Sequence, residues 1–408
     1  MTPPDQRPAP LTGIKVLDLS RVLAGPWASQ LLGDLGADVV KVERPGSGDD
    51  TRAWGPPWLK DGNGQDTKES AYFLCANRNK RSIAIDFTEA EGQALVRRLA
   101  ECADVLIENF KVGGLKSYGL DYATMSELNS RLIYCSITGF GQTGPYAERS
   151  GYDFLIQGMG GLMSITGRPD DEPGGGPQKV GVALTDIMTG LYAANAIQAA
   201  LIERTNSGRG QHIDLALLEV QIACLANQAS NYLVGGKVPQ RMGNAHPNIV
   251  PYQDFPTADG NMILTVGNDG QFRKFCSVAG KPEWASDERF ATNPARVANR
   301  KVLIDAIAAV TRMRSTQAWI DALEAAQVPC GPVNMLDQVF ADPQVIARGA
   351  RVELPHTSGG QVAMPRNPIR FDASPISHST APPALDADRS SILNDWLAGA
   401  TGIGPQQV

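Results

Sequence analysis

The sequence predicts an α/β fold: a parallel sheet with helices on its faces, followed by a smaller α+β unit. Three observations carry this. In the first half, short β-branched runs alternate with helical patterns, the order expected of βαβ units. Runs such as Asp38-Val39-Val40-Lys41-Val42 are almost continuously apolar, as strands covered on both faces are. Near Gly235 the texture changes to Gly-punctuated loops, aromatic strands and separate helices.

Taken in order, the expected strands are Ile14–Leu19, Asp38–Glu43, Ser82–Asp86, Val105–Glu108 and Leu132–Ile137. Helical patterns lie between them at Trp27–Leu35, Glu89–Cys102 and Tyr122–Leu128. A Gly-rich loop, Pro173-Gly174-Gly175-Gly176-Pro177, precedes a buried helix over Ile187–Arg204, which Asn206-Ser207-Gly208 closes. A strand at His212–Leu215 and one long helix at Leu217–Leu233 follow. The second unit has strands at Tyr252–Phe255 and Met262–Val266, and helices at Gln271–Val278, Arg300–Thr311 and Thr316–Ala326. From Gly331 the Gly/Pro-rich tail reads mostly as extended linker. A last short helix, Arg389–Leu397, has to dock, because isolated short helices are marginal.

Composition narrows the function. The chain has 408 residues, 42% hydrophobic and 20% charged, which suits an ordinary globular protein of two domains. A net charge of -6 points away from nucleic acid and membrane surfaces. Cys75, Cys102, Cys135, Cys224, Cys276 and Cys330 are scattered, without the spacing of a zinc site or disulfide framework. Met1–Pro10 lacks the apolar core of a signal peptide. No run of about 18 apolar residues predicts a membrane span. The expected location is cytoplasmic.

In open parallel sheets, ligands bind outside the carboxyl ends of the strands. The segments there are Arg21–Pro26, Arg44–Asp50, Asp86, Asn109-Phe110-Lys111 and Thr138-Gly139-Phe140-Gly141. They predict one ligand face assembled from distant loops, although βα loops are commonly Gly-rich for structural reasons alone. No G-x-G-x-x-G opens a helix, and there is no phosphate-binding P-loop. The four histidines are far apart, which argues against a metal site. No G-x-S-x-G nucleophile elbow is present.

Asp186 remains, in Gly181-Val182-Ala183-Leu184-Thr185-Asp186-Ile187-Met188-Thr189-Gly190, where a helix should begin. One reading is a helix cap, since Asp is favoured there. The other is a nucleophile for acyl transfer, with orphan amides of the helix start nearby.

Several segments, in order along nearly the whole chain, resemble the class III CoA-transferases (CaiB/BaiF, or formyl-CoA transferase family). They include Leu17–Pro26, Leu35–Asp49, Asn77–Ile83, Glu108-Asn109-Phe110, Gly139–Pro145, Leu162–Gly167, Thr205–Gln211 and Pro329–Val333. The resemblance implies a Rossmann-like large CoA-binding domain over 1–225 and a small α+β domain over 226–330. A return linker and C-terminal helix over 331–408 would pack on the large domain, and two chains would interlock as a homodimer. It implies that Asp186 is the nucleophile. It also implies CoA contacts at Leu23, Ala24, Arg44, Ile85, Asp86, Asn109, Phe110, Lys111, Thr138, Gly139, Phe140 and Gly141. Acyl-CoA is then a substrate, with no permanently bound cofactor and no metal. The related α-methylacyl-CoA racemases, the alternative reading, use a histidine in a Gly-His-Asp motif; here the run is Gly151-Tyr152-Asp153. An ordinary tyrosine, with pKa near 10, is a poor base at neutral pH.

The Gly243-Asn244-Ala245-His246-Pro247-Asn248 loop, with Ile249–Gln253, most resembles the succinyl-CoA:dicarboxylate branch. That implies short dicarboxylates such as succinate, glutarate, hydroxymethylglutarate or itaconate. His246 and Asn248, with Arg52 or Arg241, are the expected contacts to the distal carboxylate.

Overall fold

The computed structural model describes residues 7–397. Their contacts divide the chain into two compact units. The larger comprises residues up to 162, 180–236 and 343 onward; the smaller comprises 163–179 and 237–342. The expected limits at 225 and 330 stand beside observed limits at 236 and 342. Residues 163–179 join the smaller unit because Gly243 N–H bonds the Gly167 carbonyl at 3.1 Å and Arg241 bonds the Ser164 carbonyl at 3.0 Å.

The larger unit is built on six parallel strands: β1 (Lys15–Asp18), β2 (Asp38–Glu43), β3 (Lys80–Ala84), β4 (Val105–Glu108), β5 (Ile133–Thr138) and β6 (His212–Ala216). Their order is β3-β2-β1-β4-β5-β6. Leu17 pairs with Val40 on one side and Leu106 on the other, so the strand order reverses beside β1. The crevice outside β1 and β4 is therefore the switch point at which such sheets take ligands.

Helices cover both faces. On one, α1 (Ala24–Asp34) and a later long helix (Leu184–Ser207) pack Leu32, Ala193 and Ile197 against Val16, Ile107 and Cys135. On the other, α2 (Ala90–Cys102) packs Val96 and Leu99 against Leu17, Val40 and Leu106. The last described helix, Arg389–Leu397, joins that core through Ile392 and Trp396. Just before it, the chain covers the sheet edge. Asp388 and Asp386 accept the outward N–H groups of Ser82 and Ala84 on β3 at 2.9 and 2.8 Å. Charged groups thereby end the ladder where another strand could otherwise add.

Between α2 and the long helix lie α3 (Tyr122–Leu128) and α4 (Asp153–Met159); we call the long helix α5. It begins three residues earlier than expected and ends at Gly208, whose φ of 72° suits the left-handed C-cap. The expected single helix over Leu217–Leu233 is instead two, α6 (Leu217–Cys224) and α7 (Ala226–Gly235). The break falls at Ala226, with φ 45°. The tail from Gly331 is more ordered than expected. It contains two short helices and an antiparallel pair, Arg351–Pro355 with Gln361–Pro365, whose Leu354, Val362 and Met364 pack on Leu74.

In the smaller unit, β7 (Tyr252–Pro256), β8 (Asn261–Thr265) and β9 (Cys330–Pro332) form an antiparallel sheet in the order β9-β8-β7. Helices α8 (Asp269–Val278), α9 (Arg300–Thr311) and α10 (Thr316–Ala325) close its core around Phe255, Phe272, Phe275 and Trp319. No helix among the described residues is long and apolar enough to cross a membrane.

Candidate active site

The turn after β1 is fixed by distant groups. Asn109, at the end of β4, accepts Arg21 N–H through Oδ1 at 2.9 Å and donates through Nδ2 to the Arg21 carbonyl at 2.7 Å. Val22 sits at φ 70°, costly for a β-branched residue, and its N–H reaches the Asp49 carboxylate at 3.2 Å. Asp49 is buried and paired with Lys41 at 2.9 Å. Burial alone would raise its carboxyl; the Lys41 ammonium and the Thr51 hydrogen bonds outweigh this and hold it at about 2. A permanently ionised anchor thus pins the turn that presents Leu23 and Ala24.

At the start of α5 the cap reading of Asp186 gives way. The helix begins at Leu184, with Ala183 at the cap position, so Asp186 stands in the first turn. The cap comes from α4: Asp153 Oδ1 accepts the N–H groups of Thr185 at 2.8 Å and Asp186 at 3.3 Å. These two amides are consequently engaged rather than orphaned. The Asp186 carboxylate itself accepts no hydrogen bond among the described residues. Burial, and then the charge of Asp153, push its carboxyl up to about 7.

Asp186 lines a cavity with Leu23, Ala24, Asn109, Thr138 and Gly139. A second cavity is walled by Arg44, Ile85 and Asp86. Arg21, Phe110 and Lys111 line both, which joins them along the strand ends. The Phe110 N–H is held by Glu108 Oε2 at 2.8 Å, and its ring lies under the Arg21 guanidinium, 5.1 Å away. Asp86 is exposed, and hydrogen bonds from Thr88 hold its carboxyl below the usual range. The fold therefore brings together ten of the twelve expected CoA contacts. Phe140 and Gly141 line neither cavity: Phe140 packs on the sheet core and Tyr146, and Gly141 donates its N–H to Thr138 Oγ1 at 2.9 Å.

The expected acceptor residues fare differently. Arg52 is buried and committed, bonding Glu43 through Nε and Nη2 at 2.8 Å, Glu69 through Nη1 at 3.0 Å and the Pro383 carbonyl at 2.9 Å. It braces the interior and lines neither cavity. Arg241 is likewise paired, with Asp170. His246 and Asn248 share a tight turn in the smaller unit, where Asn248 N–H donates to His246 Nδ1 at 3.1 Å. Burial, then the nearby Arg300, hold the His246 imidazole below its usual range, which favours its uncharged form.

Sequence reasoning missed Asp153 as a cap, because it lies 32 and 33 positions from the two amides it accepts. It placed Arg21 on the ligand face without giving it a role and passed over Arg149; both are in the wall of the Asp186 cavity. Their only signal was position on strand-end loops. Among the described residues, no group of His, Cys, Asp or Glu side chains is placed to hold a metal.

Similarity to known proteins agrees with this geometry. The signature of CoA-transferase family III matches residues 11–389. A succinate–glutarate CoA-transferase of Agrobacterium fabrum is 53% identical over 96% of this chain and 97% of its own length. The succinyl-CoA:glutarate CoA-transferase of Homo sapiens is 44% identical over 95% of this chain and 86% of its own. A crystal structure of a CaiB/BaiF family protein from Brucella suis superposes with a TM-score of 0.83 at 52% identity, covering 96% of this chain and all of that one, 100%. The chain belongs to CoA-transferase family III.

Proposed function

We propose that this enzyme moves CoA from succinyl-CoA to a short dicarboxylate, glutarate foremost, with Asp186 as the nucleophile. The observation that carries the mechanism is the unengaged, desolvated Asp186 carboxylate at the head of α5, in a cavity that shares Arg21, Phe110 and Lys111 with the one walled by Arg44 and Asp86. A carboxylate with a raised pKa is a better nucleophile than an ordinary one, and covalent transfer divides one exchange into easier steps. The substrate preference draws on the relatives named for succinate, succinyl-CoA and glutarate.

In this reading, Asp186 attacks the thioester carbonyl, forming a mixed anhydride and releasing CoA thiolate. The thiolate attacks the aspartyl carbonyl, which frees the donor acid and leaves an aspartyl-CoA thioester. The acceptor carboxylate attacks that thioester, giving a second anhydride and thiolate again. The thiolate then takes the acceptor acyl group, and Asp186 is restored. Leu23, Ala24, Phe110, Lys111 and Arg44 hold the CoA arm, and His246 and Asn248 are the proposed acceptor contacts. A raised acceptor KM in His246→Ala is the check on that loop. The expected setting is cytoplasmic.

Incubation with succinyl-CoA, read by intact mass, should show a CoA-sized adduct. Asp186→Ala should remove it and lower transfer by at least about 10³-fold, the scale of losing an attacking group. An adduct that survives the substitution overturns the assignment. Entry of solvent deuterium at the α-carbon without acyl exchange would point instead to a racemase.

We also infer a homodimer of interlocked chains. Strongly exposed apolar side chains at Leu233, Val234, Val238, Met335 and Leu336 support a covering partner. Sedimentation equilibrium should report twice the chain mass; a monomer at micromolar concentration would sink the idea.

A further inference from the structure

We propose that Arg149 reads the distal carboxylate of the acyl group, and so selects dicarboxylates over monocarboxylic acids. The proposal rests on the dicarboxylate reading above.

A dicarboxylate whose first carboxyl is joined to Asp186 brings a second negative charge into the same cavity. Asp153, whose charge is felt at Asp186, already makes those surroundings anionic. A carboxylate leaving water there needs a cation with free donors. The cavity wall contains three cationic side chains: Arg21, Lys111 and Arg149. Arg21 is paired with Asp50 at 3.1 Å, and both it and Lys111 also line the neighbouring cavity, toward the CoA side. Arg149 lines the Asp186 cavity and not that neighbour. Its guanidinium has no oxygen partner among the described residues; Nη2 meets only Met159 Sδ, at 3.9 Å.

This arginine is exposed, and two aromatic rings restrict it. Its guanidinium lies 4.4 Å from the Tyr146 ring centre and 5.1 Å from that of Phe140, and the two rings pack edge to face at 5.6 Å. Contact with aromatic faces leaves the N–H edge free for a bidentate carboxylate. The loop is tied at its ends by a backbone contact so close that a Cβ on Gly139 would meet Gly151 Cα at 2.6 Å. A cation fixed before binding loses less entropy when it captures its partner. The other candidates lack these features. Arg52 and Arg241 are spent on Glu43, Glu69 and Asp170, and none of Arg52, Arg241 and His246 lines the Asp186 cavity.

The test compares glutarate with its monoamide, glutaramate, as acceptors in the wild type, Arg149→Met and Arg149→Lys. Arg149→Met should lower kcat/KM for glutarate about 10- to 100-fold, as expected for a charge-assisted hydrogen bond, and leave glutaramate nearly unchanged. Arg149→Lys should recover part of the preference. The inhibition constant of desulfo-CoA, which has no acyl group, should stay constant. An unchanged glutarate-to-glutaramate ratio in Arg149→Met overturns the proposal. So does an equal loss on both acceptors, which would mark a structural arginine, and so does a weaker desulfo-CoA, which would assign Arg149 to CoA. Failure of the dicarboxylate reading looks different: the wild type itself would then prefer glutaramate or transfer to neither acid.

Discussion

The position of Asp186 was legible in the sequence; its electrostatic setting was not. A carboxylate at a helix start is usually a cap, and here Asp153 has taken that role from another helix. The exchange leaves Asp186 free and at the same time raises its pKa through the charge of Asp153. In the proposed mechanism the ionised form attacks, so kcat/KM should rise with pH through about 7. Asp153→Asn keeps an oxygen for the two amides but removes the charge, so the acid limb should move to lower pH. A pH–rate profile with an unmoved limb would refute the coupling. Linkage runs in the same sense. The folded pKa lies above the usual carboxylate value near 4, so the stabilising contribution of neutral Asp186 is complete below that value and is lost as pH rises through about 7. The enzyme thus gives up stability in the range where the proposed nucleophile ionises.

At the level of elements, the parallel strands were readable because buried strands leave long apolar runs, and their observed limits lie within two residues of the expected ones at β1, β2, β3, β4 and β5. What sequence hid was anything set by long-range packing. Nothing local announces the break between α6 and α7, since both halves carry helix-compatible residues. The Arg351–Pro355 and Gln361–Pro365 pair was masked by Gly and Pro around it. The crossing of α1 and α5 is likewise invisible in either segment alone. Gly190 lies one turn beyond Asp186, and a Cβ there would stand 2.8 Å from the Ala24 carbonyl oxygen and 3.0 Å from the Trp27 side chain. In most helix interiors Gly→Ala adds about 1 kcal/mol of stability. Here the obstacle is backbone at the head of α1, so Gly190→Ala should lower Tm by about 2–8 °C, the equivalent of roughly 1–2 kcal/mol. Leu23 and Ala24 would shift with α1, and the KM for acyl-CoA should rise. A higher Tm with unchanged KM would show that the helices separate without cost.

Across the whole molecule, catalysis, binding and stability are assembled from segments far apart in the chain. Asn109 clamps the turn at Arg21, Asp153 caps α5, and residues near the end of the described chain finish a sheet begun near its start. The family resemblance could forecast that last arrangement, but composition and periodicity could not, because neither Asp386 nor Asp388 carries a mark of its partner strand. The edge cover also has a consequence in time. Ser82 and Asp388 are 306 residues apart. At roughly 5–20 residues per second, a ribosome needs on the order of 15–60 s to cross that gap. Throughout that interval, β3 has been synthesised while the two carboxylates that end its ladder, and the Trp396 that covers the nearby core, do not yet exist. The enzyme is born with an open sheet edge, which its own chain can close only when translation is nearly over.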